Sequence, residues 1–204
     1  MTLHLYAAAT SNAQRAACML EELGLPYTLH KVDLAKGAQK TPEFLAINPA
    51  GQVPALVDDA AGVTLAQSIA ILLYLAEKTG KLLPTDAKTR AAALWWTAYA
   101  ASDVSGAVGA YIGFTRSNLA DKPAPVGEWL AGRIVGALAQ ADKALADGRA
   151  CLCGSAFTVA DVAFAPAASR AKDVPGVAAL AHLQAYLART MARPGMAKGI
   201  AALA

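Results

Sequence analysis

The 204-residue sequence predicts two domains, an α/β domain with the element order βαβ then ββα, followed by an all-α domain. Residues 1–80 contain short β-like runs and several prolines, and their five Lys or Arg and seven Asp or Glu give a net charge of −2. The remaining residues have the pattern of long helices and a net charge of +5, which gives a total of +3. Between the two parts, Gly80 and Pro84 end one helix and Asp86 can begin the next. We therefore expect an α/β domain at residues 1–80, a linker at 81–86 and a helical domain at 87–204.

The α/β domain is predicted from short apolar runs that are separated by turn and cap residues. The polar residues 10–12 can cap a helix, and Gly24 is a suitable end for that helix. Pro42 marks another helix start, because proline is favoured in the first turn. The predicted strands are residues 3–6, 27–32, 54–57 and 63–65, and the predicted helices are residues 14–23, one that starts near residue 42, and 68–78.

The second domain is predicted to be helical throughout and is rich in alanine. Alanine has the highest intrinsic helix propensity, and its small side chain lets helices pack closely. The predicted helices are residues 87–118, 126–147, 158–171 and 177–191, with a short C-terminal piece.

The composition excludes several classes of protein. With 56% hydrophobic and 16% charged residues the chain is not disordered, and three cysteines are too few for a disulfide scaffold. No run approaches the ~20 apolar residues that a membrane-spanning helix needs, and residues 1–9 lack the basic start of a secretory signal. No Lys and Arg cluster interleaves with aromatic residues, and the three His are scattered. We therefore expect a cytoplasmic protein with no membrane, nucleic-acid or metal partner.

Gln52-Val53-Pro54 is the first of three candidate binding segments. An X–Pro bond adopts cis far more easily than other peptide bonds, and a cis bond here would turn the Val53 backbone outward. The exposed N–H and C=O groups could then pair with an extended peptide ligand. A trans proline that starts an edge strand is the alternative, and the spacing alone favours it.

The other two candidate segments are helix starts. Ser68 follows Gln67 at the start of a helix whose exposed N–H groups would attract a carboxylate, although a simple N-cap explains the serine equally. Thr10-Ser11-Asn12 lies between a strand end and a helix start, where ligands gather in open α/β sheets. A hydroxyl and N–H groups there could stabilise a thiolate, or they could only cap the helix.

Three stretches carry a resemblance to a known family: PEFLAINPAGQVPAL at residues 42–56, QSIAILLYLA at residues 67–76 and GSAFTVAD at residues 154–161. Over essentially its whole length the chain resembles the cytosolic glutathione transferases, especially bacterial ones. The resemblance implies a thioredoxin-like N-terminal domain, an all-α C-terminal domain and glutathione bound at their junction. In the third stretch, Thr158 and Asp161 have capping-box spacing, and we expect loss of the cap to cost about 1 kcal/mol.

The resemblance also implies which residues bind glutathione. Pro54 is expected to be cis, with the Val53 backbone paired to the cysteinyl part of glutathione. Gln67 and Ser68 are expected at the γ-glutamyl end, and Gln52 with Lys36 or Lys40 at the glycine end. The family usually has an acidic residue where Gln67 stands, and a neutral amide can still accept from the glutamyl ammonium but forms no ion pair with it.

Three residues at the start of the first helix, Ser11, Thr10 and Asn12, are candidates for contact with the glutathione sulfur. Ser11 stands four residues before Arg15-Ala16, which is the spacing of serine-type members, and it is our first choice. Thr10 stands two residues before Asn12, which is the pattern of other bacterial members. Tyr6 lies near the position that tyrosine-type members use.

The expected reaction is a glutathione S-transferase reaction, in which glutathione is the co-substrate, its thiolate attacks a small apolar electrophile, and the result is detoxification. The electrophile is expected to contact Tyr99, Tyr111 and Phe114 on the long helix, although core or dimer packing explains each of these equally. Glutathione-dependent peroxide or disulfide reduction is the alternative chemistry. A non-catalytic protein that binds apolar ligands or partners is the alternative of another class. The family resemblance also implies a homodimer.

Overall fold

The computed structural model describes residues 2–119 and 121–204, and the chain divides into two compact units. The first unit comprises Met1–Leu83 together with Ala192–Ala204, and the second comprises Pro84–Met191. The C-terminal segment therefore belongs with the α/β unit, whereas we expected the helical domain to extend from residue 87 to residue 204.

The first unit is built on a four-stranded mixed sheet with the strand order β2-β1-β3-β4. Strand β1 pairs parallel with β2 and antiparallel with β3, and β3 pairs antiparallel with β4. The element order is β1 (Leu3–Ala7), α1 (Ser11–Leu23), β2 (Tyr27–Lys31), α2 (Pro42–Ile47), β3 (Ala55–Asp58), β4 (Val63–Ala66) and α3 (Ser68–Thr79). This arrangement confirms the predicted βαβ-ββα, thioredoxin-like domain.

The strands alternate as a two-faced sheet requires. In β1, Leu3, Leu5 and Ala7 are buried and the residues between them are partly exposed. On the face of those intervening residues, Tyr6 packs against Phe44 of α2, with 6.4 Å between the ring centroids. The sheet is therefore covered by apolar side chains on both faces.

A C-terminal helix, α9 (Pro194–Ala201), packs against α1 and explains why the end of the chain belongs to the first unit. A Cβ on Gly199 would lie 2.4 Å from the Cys18 backbone nitrogen, so only glycine allows this approach. Arg193 forms an ion pair with Glu22 at 2.8 Å, and the Met196 N–H also donates to Glu22. Burial, with the charge of Glu22, raises the pKa of Cys18 to about 12, so this thiol stays protonated.

The second unit is helical, as predicted. Its helices are α4 (Ala87–Tyr99), α5 (Ser105–Arg116), α6 (Ala124–Leu145), α7 (Val159–Ser169) and α8 (Ala181–Met191). The predicted single helix at 87–118 is interrupted by a π-helical turn at Ala100–Val104. Ser105 Oγ donates to the Ala100 carbonyl at 2.8 Å across this turn, a side-chain contact that helical periodicity does not reveal.

Within the described residues, no helix has both the length and the apolar character needed to cross a membrane. The same residues contain no group of three or more His, Cys, Asp or Glu side chains arranged to hold a metal ion.

Candidate active site

The three predicted binding segments emerge at one end of the sheet. Tyr6 in β1 pairs with Ala55 in β3, which pairs in turn with Ala66 in β4. Residues 10–12 follow the end of β1, residues 53–54 precede the start of β3, and residues 67–68 follow the end of β4. Strand pairing therefore brings together, at one end of the sheet, three segments that are spread over more than fifty residues of the sequence.

Helix α1 begins at Ser11, earlier than the predicted residue 14, because Thr10 caps it. Thr10 has an extended backbone, and its Oγ1 accepts the Ala13 N–H at 3.2 Å. The first N–H groups of an α-helix have no intrahelical partners, and this cap satisfies one of them. The N–H groups of Ser11 and Asn12 lie at the same helix end, where the helix dipole favours negative charge. This helix start is therefore suited to an anionic sulfur.

A buried arginine lies one turn further along the same helix. Arg15 is 1% exposed, and its Nη1 donates to Asn12 Oδ1 at 2.9 Å. Burial lowers the pKa of Arg15 to about 10, so the guanidinium is still charged at neutral pH. In the sequence, Arg15 serves only as a spacing marker for Ser11, because the pattern does not show that this charged side chain is buried.

The Val53–Pro54 peptide bond is cis, as the resemblance implies and contrary to the alternative that the spacing favoured. Strand β3 begins after this bond, so Val53 lies outside the strand ladder. Asn48, which is 5% exposed, braces the preceding turn. Its Nδ2 donates to the Gln52 carbonyl at 2.6 Å, and its Oδ1 accepts the Ala50 N–H at 3.1 Å. This role of Asn48 was not predicted, although an Asn that opens a Pro- and Gly-containing turn is a recognisable signal.

The structure separates the two lysines that were expected near the glycine end. Lys40 Nζ donates to the Ala50 carbonyl at 3.4 Å, beside the turn that leads to Val53. Gly51 has a φ of +59°, and a Cβ there would lie 2.6 Å from Lys40 Nζ, so glycine permits this contact. Lys36, in contrast, pairs with Asp33 at 3.4 Å and has an 85% exposed side chain. Lys40 is therefore the lysine that borders the site.

Gln39 is a further residue that sequence analysis missed. Its Oε1 is buried and has no hydrogen-bond partner among the residues that the structure describes. The backbone carbonyl oxygen of Gln39 would lie 2.9 Å from a Cβ on Gly51, so Gln39 also borders the turn. An unsatisfied buried acceptor costs about 1–3 kcal/mol. A ligand that supplies a donor here would remove that cost.

Gln67 has a backbone conformation that few residues other than glycine adopt, with a φ of 71° and a ψ of 115°. It immediately precedes α3, and its side chain makes no capping hydrogen bond to that helix. Ser68 is the first residue of α3 and is buried. Such backbone strain costs about 1–3 kcal/mol and clusters at functional sites. The strain is consistent with the prediction that this junction belongs to the functional site.

The three aromatic residues predicted for the hydrophobic substrate have different surroundings in the second unit. Tyr99 donates its hydroxyl to the Ala137 carbonyl at 3.0 Å, so it connects α4 to α6. Phe114 lies against Gly127 of α6, where a Cβ would approach the Phe114 ring to 3.3 Å. Tyr111 lines an apolar cavity of about 660 Å³ together with residues of α5, α6 and the segment before α8. Tyr111 therefore borders space that an apolar ligand could fill.

The capping box at the start of α7 is present, and it belongs to a larger hydrogen-bond network. The fully buried carboxylate of Asp161 accepts hydrogen bonds from the Thr158 N–H at 2.8 Å, the Leu152 N–H at 2.9 Å and the Tyr186 hydroxyl at 3.0 Å. Burial raises the pKa of Asp161, and the hydrogen bonds it accepts act in the opposite direction. These residues stabilise the second unit.

Comparison with known proteins agrees with this geometry. The chain matches the family descriptions "Glutathione S-transferase, N-terminal domain" at residues 1–77 and "Glutathione S-transferase, C-terminal domain" at residues 127–189. It is 36% identical over 204 residues to glutathione S-transferase 3 of Zea mays, which covers 94% of this chain and 90% of that protein.

Two further proteins are similar. The chain is 48% identical over 99 residues to the disulfide-bond oxidoreductase YfcG of Escherichia coli, and the match spans just under half of each protein, 46% in both cases. The structure of a glutathione transferase from Burkholderia graminis, with two glutathione molecules bound per subunit, aligns with a TM-score of 0.92. That alignment has 30% identity and covers 98% of this chain and 87% of the other. From its fold, its two matched domains and its full-length relative, the chain belongs to the glutathione S-transferase family.

Proposed function

We propose that this chain binds glutathione at the sheet end described above and activates its thiol as a thiolate. The thiolate would attack small apolar electrophiles, as in detoxification. The observation that carries the proposal is the convergence of the Ser11 helix start, the cis Val53–Pro54 bond and the Gln67–Ser68 junction at one end of the sheet.

Each segment has a separate role in the proposal. The Val53 backbone pairs with the cysteinyl part of glutathione, because it lies outside the ladder of β3. Gln67 and Ser68 hold the γ-glutamyl end at the start of α3. Gln52 and Lys40 hold the glycine carboxylate, and Lys40 replaces Lys36 because Lys40 contacts the turn while Lys36 pairs with Asp33.

Ser11 is the first choice for the sulfur contact. The Thr10 hydroxyl acts as the helix cap, in which its Oγ1 accepts the Ala13 N–H, and Ser11 has the serine-type spacing before Arg15-Ala16. A free thiol has a pKa of about 8.5, and lowering it by about two units requires ~2.7 kcal/mol of preferential thiolate stabilisation. A hydrogen bond to a charged acceptor contributes about 1.5–3 kcal/mol, and a helix N-terminus adds about 0.3–1 kcal/mol. One hydroxyl at this helix end is therefore sufficient.

The test compares Ser11→Ala with Ser155→Ala, an exposed serine in the second unit. We expect Ser11→Ala to lower conjugation of an aryl halide at least tenfold at neutral pH, while binding to immobilised glutathione survives. The Ser155→Ala variant should match the wild type in both measurements. Unchanged turnover in Ser11→Ala would transfer the role to Thr10 or Asn12.

Glutathione-dependent disulfide or peroxide reduction is the second candidate. It is supported by the similarity to a disulfide-bond oxidoreductase and to a structure with two glutathione molecules per subunit. Two glutathione thiols would be oxidised to one glutathione disulfide, while a substrate disulfide is reduced to two thiols or a hydroperoxide to an alcohol and water. Assays with an aryl halide, a mixed disulfide and an organic hydroperoxide would show which chemistry dominates.

Retention on immobilised glutathione separates both enzymes from a non-catalytic ligand-binding or interaction protein of the same fold. Failure to bind glutathione would contradict both enzymatic proposals.

We also propose that the chain is cytoplasmic and forms a homodimer. The exposed apolar side chains of Leu94 and Trp95 on α4 support the homodimer. Sedimentation equilibrium tests the dimer, and a monomeric mass would contradict it.

A further inference from the structure

We propose that Arg15 is a positioning residue that orients the Asn12 side chain, so that the Asn12 amide donates a hydrogen bond to the glutathione thiolate beside Ser11. The inference rests on the proposed function, in which the family resemblance already makes Asn12 a candidate sulfur contact; the new element is Arg15, the residue that orients it.

The orientation follows from the donor inventory of arginine. A guanidinium has five N–H donors and no acceptor, so a side-chain amide that bonds to it must present its oxygen. Arg15 Nη1 lies 2.9 Å from Asn12 Oδ1. The amide is planar, and its NH₂ group is on the opposite branch from the oxygen. The bond therefore leaves the Asn12 NH₂ pointing away from Arg15.

The burial of Arg15 makes this orientation stable. The Arg15 side chain is 1% exposed inside helix α1, whereas Asn12 is exposed in the first turn of the same helix. A buried guanidinium has little freedom to rotate, and it remains charged, so the bond that it donates is charge-assisted. Asn12 is thus held from the buried side and presents its amide donor on the exposed side.

The position of Asn12 makes the thiolate the suitable acceptor. It adjoins Ser11, and both residues lie at the helix N-terminus, where N–H groups and the helix dipole favour an anion. Without Arg15, the amide could exchange the places of its oxygen and nitrogen by rotation about its last side-chain bond. The oxygen would then face the thiolate and repel it. Orientation by Arg15 removes that alternative.

The experiment measures the pKa of the bound glutathione thiol from the ultraviolet absorbance of the thiolate against pH. Replacing Asn12 with alanine removes the donor, and we expect the thiol pKa to rise by about one to two units. Arg15→Met should raise it by a smaller amount in the same direction, and Arg15→Lys should restore part of the loss, because lysine can still donate to Oδ1. Turnover should fall most at low pH and converge with that of the wild type once the thiol is fully ionised.

The matched control is Cys18→Ala, which changes another buried side chain of α1, six residues away from Asn12. It should lower the free energy of unfolding and leave the thiol pKa unchanged. A wild-type thiol pKa in Asn12→Ala would overturn the proposal, and so would equal shifts in Cys18→Ala and Arg15→Met. If Arg15→Met does not fold, Asn12→Ala and Arg15→Lys decide the outcome. If the wild-type protein does not bind glutathione, that result would instead contradict the proposed function.

Discussion

Replacing Gln67 with glycine should make the protein more stable and weaken its binding of glutathione. The φ of 71° and ψ of 115° at Gln67 cost about 1–3 kcal/mol for a residue with a Cβ. Glycine adopts this conformation without steric strain, and its extra freedom in the unfolded chain costs about 0.5–1 kcal/mol. The expected net change is a rise of up to about 2.5 kcal/mol in the free energy of unfolding.

The variant to compare with it is Gln67→Ala, which removes the side chain beyond Cβ but keeps the strained backbone. Urea unfolding should show Gln67→Gly to be more stable than Gln67→Ala. Calorimetry should show that both variants lose glutathione affinity by about tenfold or more, because a hydrogen bond from the charged glutamyl ammonium contributes about 1.5–3 kcal/mol. Equal stability of the two variants would refute the strain argument. Wild-type affinity in both would remove Gln67 from the glutathione site.

Three further changes test the surrounding structure. Asp161→Ala should lower the free energy of unfolding by about 3–5 kcal/mol in urea denaturation, because it leaves buried donors, including the Tyr186 hydroxyl, without an acceptor. Burial raises the pKa of Asp58, but hydrogen bonds from neighbouring side chains lower it on balance, so stability should be lost as pH falls below about 4, and Asp58→Asn should flatten that pH dependence of unfolding. Gly199→Ala should destabilise the chain by about 1–3 kcal/mol and expose the amides of α9 to hydrogen exchange, because its Cβ would collide with the Cys18 backbone.

Matched substitutions make these tests specific. Asp173→Ala removes an exposed carboxylate of the second unit and should leave stability within about 0.5 kcal/mol of the wild type. The Cβ that Gly136→Ala adds in helix α6 would have open space around it, so this variant should raise the free energy of unfolding by up to about 1 kcal/mol. A loss of only about 1 kcal/mol in Asp161→Ala would show that the cap acts without the larger network. Unchanged hydrogen exchange of α9 in Gly199→Ala would contradict the close packing on α1.

Local signals predicted the elements near the site well. Pro42, Gly24 and the Thr158–Asp161 spacing each act within one helix turn, and the structure has a helix boundary at each of them. The start of α1 was placed three residues too late, because three adjacent polar residues can all cap a helix. Capping preferences name the residue types but do not choose among neighbours of the same type.

The residues of the candidate site stay predictions, and the structure shows which of them lie together. The motif resemblance named the segments at residues 10–12, 52–54 and 67–68, because each lies within a short stretch of chain. It could not decide between Lys36 and Lys40, since that choice depends on which lysine reaches the turn at Gly51. It also did not find Gln39, whose buried acceptor is visible only once its neighbours are placed.

The sequence by itself determined the two-part architecture, the order of strands and helices, and the family to which the chain belongs. These features depend on periodicity, turn residues and short motifs, which act between residues close together in the chain. Only the tertiary structure decided that the C-terminal helix packs on α1, that Arg15 is buried beside Asn12, and that Tyr99 connects two helices. The physical reason is that burial and pairing depend on contacts between residues distant in sequence, and alanine-rich helices have similar local patterns whichever neighbours they pack against.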